Sequence, residues 1–258
     1  MDKRMGKVAL VTGVSRENGI GAAVCRALAQ KGVSLFFTHL YGYDAKTGYS
    51  HIEENWPEDF KRELSRYGIR AESMELDLSE RDSIPRLLEH AESRFGKLDI
   101  LVNNATHCEE VGYQQMTADI LLKHCEVNIV GTCLLSVEFA KRAGKGKEGR
   151  IINLVSGQDK SPQPGNLAYI TTKGAISAFT KSLAVELAAE KITVNAVDPG
   201  PTDTGWMDEA TKQFLRPKFP TGAIGSPEDA ARLISFLASE EAGWVTGQII
   251  HSDGGFRD

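Results

Sequence analysis

The sequence predicts an α/β protein: one domain built on a doubly wound, seven-stranded parallel sheet with helices on both faces. Three observations carry this. Short, predominantly apolar runs recur along the chain, the mark of strands buried on both sides. Helical segments separate them, as the joining of parallel strands requires, and right-handed crossovers then put helices on both faces. The 258 residues contain no internal repeat, low-complexity tract or linker, so one domain accounts for the whole length.

The elements follow in order. Residues 7–12 form a first buried strand, a glycine-bearing turn follows, and residues 19–31 form a helix stopped by Gly32 before a second strand over 33–38. From 39 to 56 periodicity fails and a long connection is expected, carrying Tyr41, Tyr43, Tyr49 and Trp56. Pro57 suits the first turn of a helix to about Tyr67, ended by Gly68, and strand three spans 69–76. A helix over 83–95, a strand over 98–102, a long helix over 117–143, a strand over 150–155 and a helix over 166–189 come next. The sixth strand covers 192–197, and residues 198–220 are irregular with one short helix. A helix over 226–238 opens on Ser-Pro-Glu-Asp, and the last strand covers 248–252.

Hydrophobic residues make up 41% and charged residues 25%, ordinary values for a globular enzyme. The net charge of -5 argues against nucleic acid. Cys25, Cys108, Cys125 and Cys133 form no C-x-x-C pair and are expected to be free thiols. No signal-peptide core opens the chain and no run reads as long enough to span a bilayer, so a cytoplasmic, membrane-free protein is expected.

Two stretches carry chemistry. Tyr169 and Lys173 stand four apart on one helix face, with Ser156 thirteen residues upstream. A cation beside a phenol favours phenolate and makes the hydroxyl a usable acid and base near neutrality, while Ser156 would hold the substrate oxygen. The Thr12-Gly-Val-Ser-Arg-Glu-Asn-Gly-Ile-Gly21 stretch fills the first strand-to-helix turn, where glycines let backbone approach a pyrophosphate and the helix N-terminus favours its charge. Alone, a Tyr-x-x-x-Lys is usually plain helix surface, and such a turn elsewhere is often only a turn.

Together with Asp77-Leu78, Asn103-Asn-Ala105, Asn128 and Pro199-Gly200 followed by Thr204, these motifs span nearly the whole chain. In that order they resemble the short-chain dehydrogenase/reductase family, and the chain looks most similar to bacterial 3-oxoacyl-acyl-carrier-protein reductases. The resemblance implies a Rossmann-type sheet and NAD(P)-dependent carbonyl chemistry. Tyr169 would protonate the carbonyl oxygen, Ser156 orient it, Lys173 hold the nicotinamide ribose and Asn128 fix a water in a proton relay. Gly13, Ser15, Arg16, Gly19, Ile20, Gly21 and Thr38 would surround the dinucleotide. Asp77, with Leu78, would meet the adenine, Asn104 and Ala105 the adenosine ribose side, and Pro199, Gly200, Thr202 and Thr204 the nicotinamide amide and diphosphate. No metal is implied. The bland readings are a helix cap or turn for Asp77, a buried bridging amide for Asn128 and a chain reversal for Pro199-Gly200.

The chain departs from the family pattern in three places. Its glycine turn is two residues longer than usual, Thr106 replaces a common glycine, and residues 39–56 are an insertion whose bland reading is a surface loop. Thr38 and His39 end the second strand without a carboxylate and Arg16 adds positive charge, so NADP(H) is expected over NAD(H). Lys141, Arg142, Lys145, Lys147 and Arg150 form a basic cluster that could dock an acyl carrier protein, against the bland reading of a solvated face. Trp206, Met207, Phe214, Leu215 and Phe219 would cover the substrate or pack as a lid on their own domain. The expected substrate is a 3-oxoacyl thioester. The rivals are a sugar, polyol or hydroxy acid, and a non-catalytic nucleotide sensor. A homotetramer follows from the likeness and from the general prevalence of closed symmetric oligomers.

Overall fold

The computed structural model describes residues 6–47, 53–143 and 148–257. Seven strands form one sheet in the order β3-β2-β1-β4-β5-β6-β7, every pairing parallel. They are β1 (Val8–Val11), β2 (Ser34–His39), β3 (Ala71–Glu75), β4 (Ile100–Asn103), β5 (Gly149–Leu154), β6 (Ile192–Asp198) and β7 (Ile249–His251). The order reverses beside β1, where Ala9 pairs with Leu35 on one side and Ile100 on the other. In a doubly wound sheet that reversal opens a crevice at the carboxyl ends of β1 and β4.

The crossovers carry α1 (Ile20–Gln30), α2 (Tyr41–Asp44), α3 (Trp56–Ser65), α4 (Ser83–Phe95), α5 (Ala118–His124), α6 (Thr132–Ala143), α7 (Leu167–Leu187), α8 (Glu209–Leu215) and α9 (Pro227–Leu237). Successive strand residues serve opposite layers. Ala9, Val11, Leu35 and Phe37 pack with Ala22, Leu28, Ala231 and Ile234 of α1 and α9. Val8, Leu10 and Phe36 pack with Leu87, Leu88, Leu135 and Phe139 of α4 and α6. Both strand faces are therefore apolar, which is why these strands read as unbroken runs. Helix α9 begins on a capping box, with the Ser226 amide and hydroxyl both bonded to Asp229.

Three expectations change. The long helix over 117–143 is interrupted by a π-helical stretch, Cys125–Gly131, which composition does not signal. The continuous rod Ala118–Ala143 is long and apolar enough to cross a membrane, contrary to the reading that no run is, yet it packs against α4 and α7 as a layer of the fold. The 39–56 connection opens with the single turn α2; Tyr49 lies outside the described residues. Of the basic cluster, Arg150 is buried, bonding Ser239 O and Glu148, Lys141 pairs with Glu138 and Arg142 with Glu92, and Lys145 and Lys147 lie outside the described residues. A guanidinium that starts a central strand is drawn inward to cap backbone carbonyls.

Candidate active site

The crevice floor is built by mutual approach of two backbones. Gly13 lies at φ +71°, and a Cβ there would sit 2.6 Å from Ala105 Cα; one on Gly21 would sit 2.8 Å from Asn104 Nδ2. Both positions therefore need glycine. Asn104 Nδ2 donates to Thr12 O and Gly13 O at 2.9 and 2.8 Å, while Thr12 Oγ1 accepts from the Asn104 and Ala105 amides. Asn104 is thus a brace beneath the turn. Gly19 caps α1 with no side-chain hydrogen bond, and no acidic residue stands in that helix's first turn. Unsatisfied N–H groups at an α-helix N-terminus suit an anionic diphosphate, so the residues present fit a dinucleotide.

Thr38 is buried, and its hydroxyl accepts from the Gly13 amide at 3.3 Å. Ser15 Oγ accepts from the Leu40 amide, which stitches the turn to the end of β2. Asp77 Oδ1 accepts from both the Ser79 amide and hydroxyl, closing a turn, and Leu78 is buried over Gly131. Beyond β6, Gly200 is at φ +62° with its amide on Asp198 Oδ1. Thr202 turns inward and bonds Pro199 O and Gly200 O, while Thr204 O accepts from Arg16 Nη1 at 2.9 Å.

Lys173 joins the tyrosine turn to the end of β5. It is buried, its Nζ donates to Leu154 O at 2.9 Å, and the same nitrogen lies 5.4 Å from the Tyr169 ring centre. Leu154 ends β5 two residues before Ser156, so one ammonium draws the serine loop and the tyrosine turn together. Burial pulls the Lys173 ammonium down to about 8. Ser156 Oγ accepts from Gln163 Nε2 at 3.1 Å.

Asn128 sits in the π-helical stretch, 2% exposed. Its Oδ1 accepts from the His107 amide and the Thr106 hydroxyl, and its Nδ2 donates to His107 O and Thr172 Oγ1. Thr172 in turn donates to Tyr169 O. The side chain is a buried bridge between the segment after β4 and the tyrosine turn, and Thr106, at the position usually glycine, becomes one of its partners.

This architecture matches known proteins throughout. A family model described as enoyl-(acyl carrier protein) reductase matches residues 13–257. An uncharacterized oxidoreductase of Bacillus subtilis is 50% identical over 258 residues, covering 99% of each chain. The chain belongs to the short-chain dehydrogenase/reductase family. A 3-oxoacyl-[acyl-carrier-protein] reductase of Aquifex aeolicus is 36% identical, covering 98% of each chain. The crystal structure of an acetoin dehydrogenase from Enterobacter cloacae is 32% identical with a TM-score of 0.83, covering 98% of this chain and 96% of that one. This dehydrogenase/reductase accordingly takes nicotinamide nucleotides.

Sequence reasoning missed several neighbours of the reductase site. Asp44 Oδ1 stands 3.4 Å from Arg16 Nε, and Tyr43 OH accepts from the Cys108 amide at 3.0 Å, so the start of the insertion leans on the glycine turn and on the segment after β4. The signal existed: Asp44 is an acidic residue about 20 positions beyond the glycines, though it lies past the end of β2. Gln163 had no motif to betray it. Asp198, His251 and Asp253 bring three potential metal ligands within 4.8 Å, with His251 Nδ1 2.8 Å from Asp198 and Lys160 on Asp253. On the lid, Met207, Leu215 and Phe219 are buried with Ile224 and Phe256 in a small core, and Trp206 and Phe214 stay exposed. The lid packs largely on its own domain.

Proposed function

We propose that this chain reduces a carbonyl to an alcohol with a nicotinamide dinucleotide, NADP(H) favoured over NAD(H), and that its substrate is a 3-oxoacyl thioester. The observation that carries the chemistry is the reach of Lys173 Nζ to both Leu154 O and the Tyr169 ring, beside Ser156. The bound coenzyme supplies a hydride to the carbonyl carbon. Tyr169 gives its phenolic proton to the carbonyl oxygen, and Ser156 donates a hydrogen bond to the same oxygen. Lys173 holds positive charge where the phenol leaves negative charge behind. Asn128 keeps the tyrosine turn and the segment after β4 in register. Arg16 in the turn, with no carboxylate at Thr38 or His39, supports the phosphorylated coenzyme.

Likeness to the Aquifex reductase and the exposed Trp206 and Phe214 support the thioester. An acyl carrier protein would be the carrier of such a thioester, in keeping with the likeness to the Aquifex reductase. A second reading, a small hydroxyketone or polyol, is favoured by the Gln163 amide against Ser156 and by the acetoin dehydrogenase likeness. Coenzyme oxidation with a panel of 3-oxoacyl thioesters, diacetyl, acetoin and sugar ketones decides between them. The thioester should give the highest kcat/KM, and Tyr169→Phe should abolish turnover. Dinucleotide binding without oxidation by any carbonyl would favour a sensor.

We also propose a cytoplasmic homotetramer. Leu122, Val130 and Leu134 on the Ala118–Ala143 rod, Val185 on α7 and Trp244 in the loop before β7 are apolar and exposed.

A further inference from the structure

The insertion after β2 is tied to the coenzyme crevice at several points. Leu40 N donates to Ser15 Oγ at 3.3 Å, Tyr43 OH accepts from Cys108 N at 3.0 Å, and the Asp44 carboxylate meets Arg16 Nε at 3.4 Å. The Asp44 and Arg16 side chains are only 11% and 18% exposed. Arg16 is gripped on its other side by Thr204 O, so the guanidinium spans from the insertion to the loop after β6. Burial pushes the Asp44 carboxyl up, and the Ser15 hydroxyl and the Arg16 charge oppose that push. The pair is therefore a partly buried one, in which removing one charge strands the other.

Its chemistry bears on one feature of the coenzyme. A 2′-phosphate needs an arginine, whereas an unphosphorylated ribose is held by a carboxylate about 20 residues past the glycine turn. Arg16 fits the first need. Asp44, 23 residues after Gly21, fits the second. For Arg16 to present its fork to a phosphate it must loosen from Asp44, and a phosphate beside that carboxylate meets like charge. We propose that Asp44 is a specificity-determining residue for the coenzyme: by pairing with Arg16 it limits the advantage of NADPH and lets NADH be used as well.

This rests on the reading that the glycine turn holds a nicotinamide dinucleotide. Binding of NADPH and NADH to the full-length protein, followed by quenching of its tryptophan fluorescence, tests it without any carbonyl substrate. The unmodified protein should bind both. Asp44→Asn should raise the ratio of NADPH to NADH affinity by about tenfold, the effect of one nearby like charge, and Asp44→Ser should do the same should the amide fold poorly. Arg16→Gln should lower the ratio. A ratio that stays level or falls in both Asp44 variants, while both nucleotides still bind, would overturn the role of Asp44 and leave the dinucleotide reading standing. Failure of the unmodified protein to bind either nucleotide would overturn both.

Discussion

Burial draws the Lys173 ammonium from its ordinary 10.5 down to about 8, because the side chain is 5% exposed and holds a carbonyl, not a carboxylate. Two consequences follow at this residue. For carbonyl reduction, kcat/KM should fall as pH rises past about 8 and the charge beside Tyr169 is lost, which a pH profile of the free enzyme reads directly. Stability without coenzyme should move the other way. Between about 8 and 10.5 the unfolded chain keeps a proton that the folded one has released, so stability rises with pH across that window. Urea denaturation of Lys173→Met alongside the parent should erase that slope. His107 offers a second case. Its imidazole is 6% exposed, its Nε2 has no partner among the described residues, and burial with the adjacent His124 pulls it down to about 4. Replacing the ring removes the cost of that unpartnered nitrogen along with its contacts to Tyr43 and His124, so His107→Leu should change stability by no more than about 1 kcal/mol.

At the scale of elements, the π-helical stretch and the glycine turn set the site. Asn128 supplies four hydrogen bonds that hold residues 106–107 and Thr172 together. Asn128→Ala leaves buried donors and acceptors unpaired and should cost about 2–4 kcal/mol, with kcat falling as the tyrosine turn loosens; denaturation and steady-state kinetics check both parts. Gly13→Ala places a methyl against Ala105 in a left-handed backbone. Stability should drop by about 2 kcal/mol and dinucleotide affinity with it, whereas Gly174→Ala, in a helix with open space around it, should be harmless.

For the whole molecule, the sheet order carries the glycine turn, the segment after β4, Ser156 and the Pro199 loop to one edge, since each follows the carboxyl end of a parallel strand. The same sheet leaves β7 with one neighbour, near Trp244, which is 98% exposed. Trp244→Glu and Leu134→Glu should each reduce the mass found by light scattering, and an unchanged monomer-sized mass in the parent would remove the tetramer.

β1 and β2 were legible from the chain alone because burial on both faces leaves them almost wholly apolar, whereas β3, which reads Ala-Glu-Ser-Met-Glu and is half-buried, followed from the helix stop at Gly68 before it. The glycine turn, Ser156, Tyr169 and Lys173 were legible because each lies within a short motif whose spacing follows strand and helix periods. Other features depend on distant backbone. Nothing near Arg16 indicates that it will bond a carbonyl 188 residues away or pair with Asp44 from an insertion. Nothing local to Arg150 sends it inward, and nothing in the apolar run around Asn128 widens its helix. Such contacts are settled by which strand ends become neighbours and by which buried polar groups must find partners once water has been excluded.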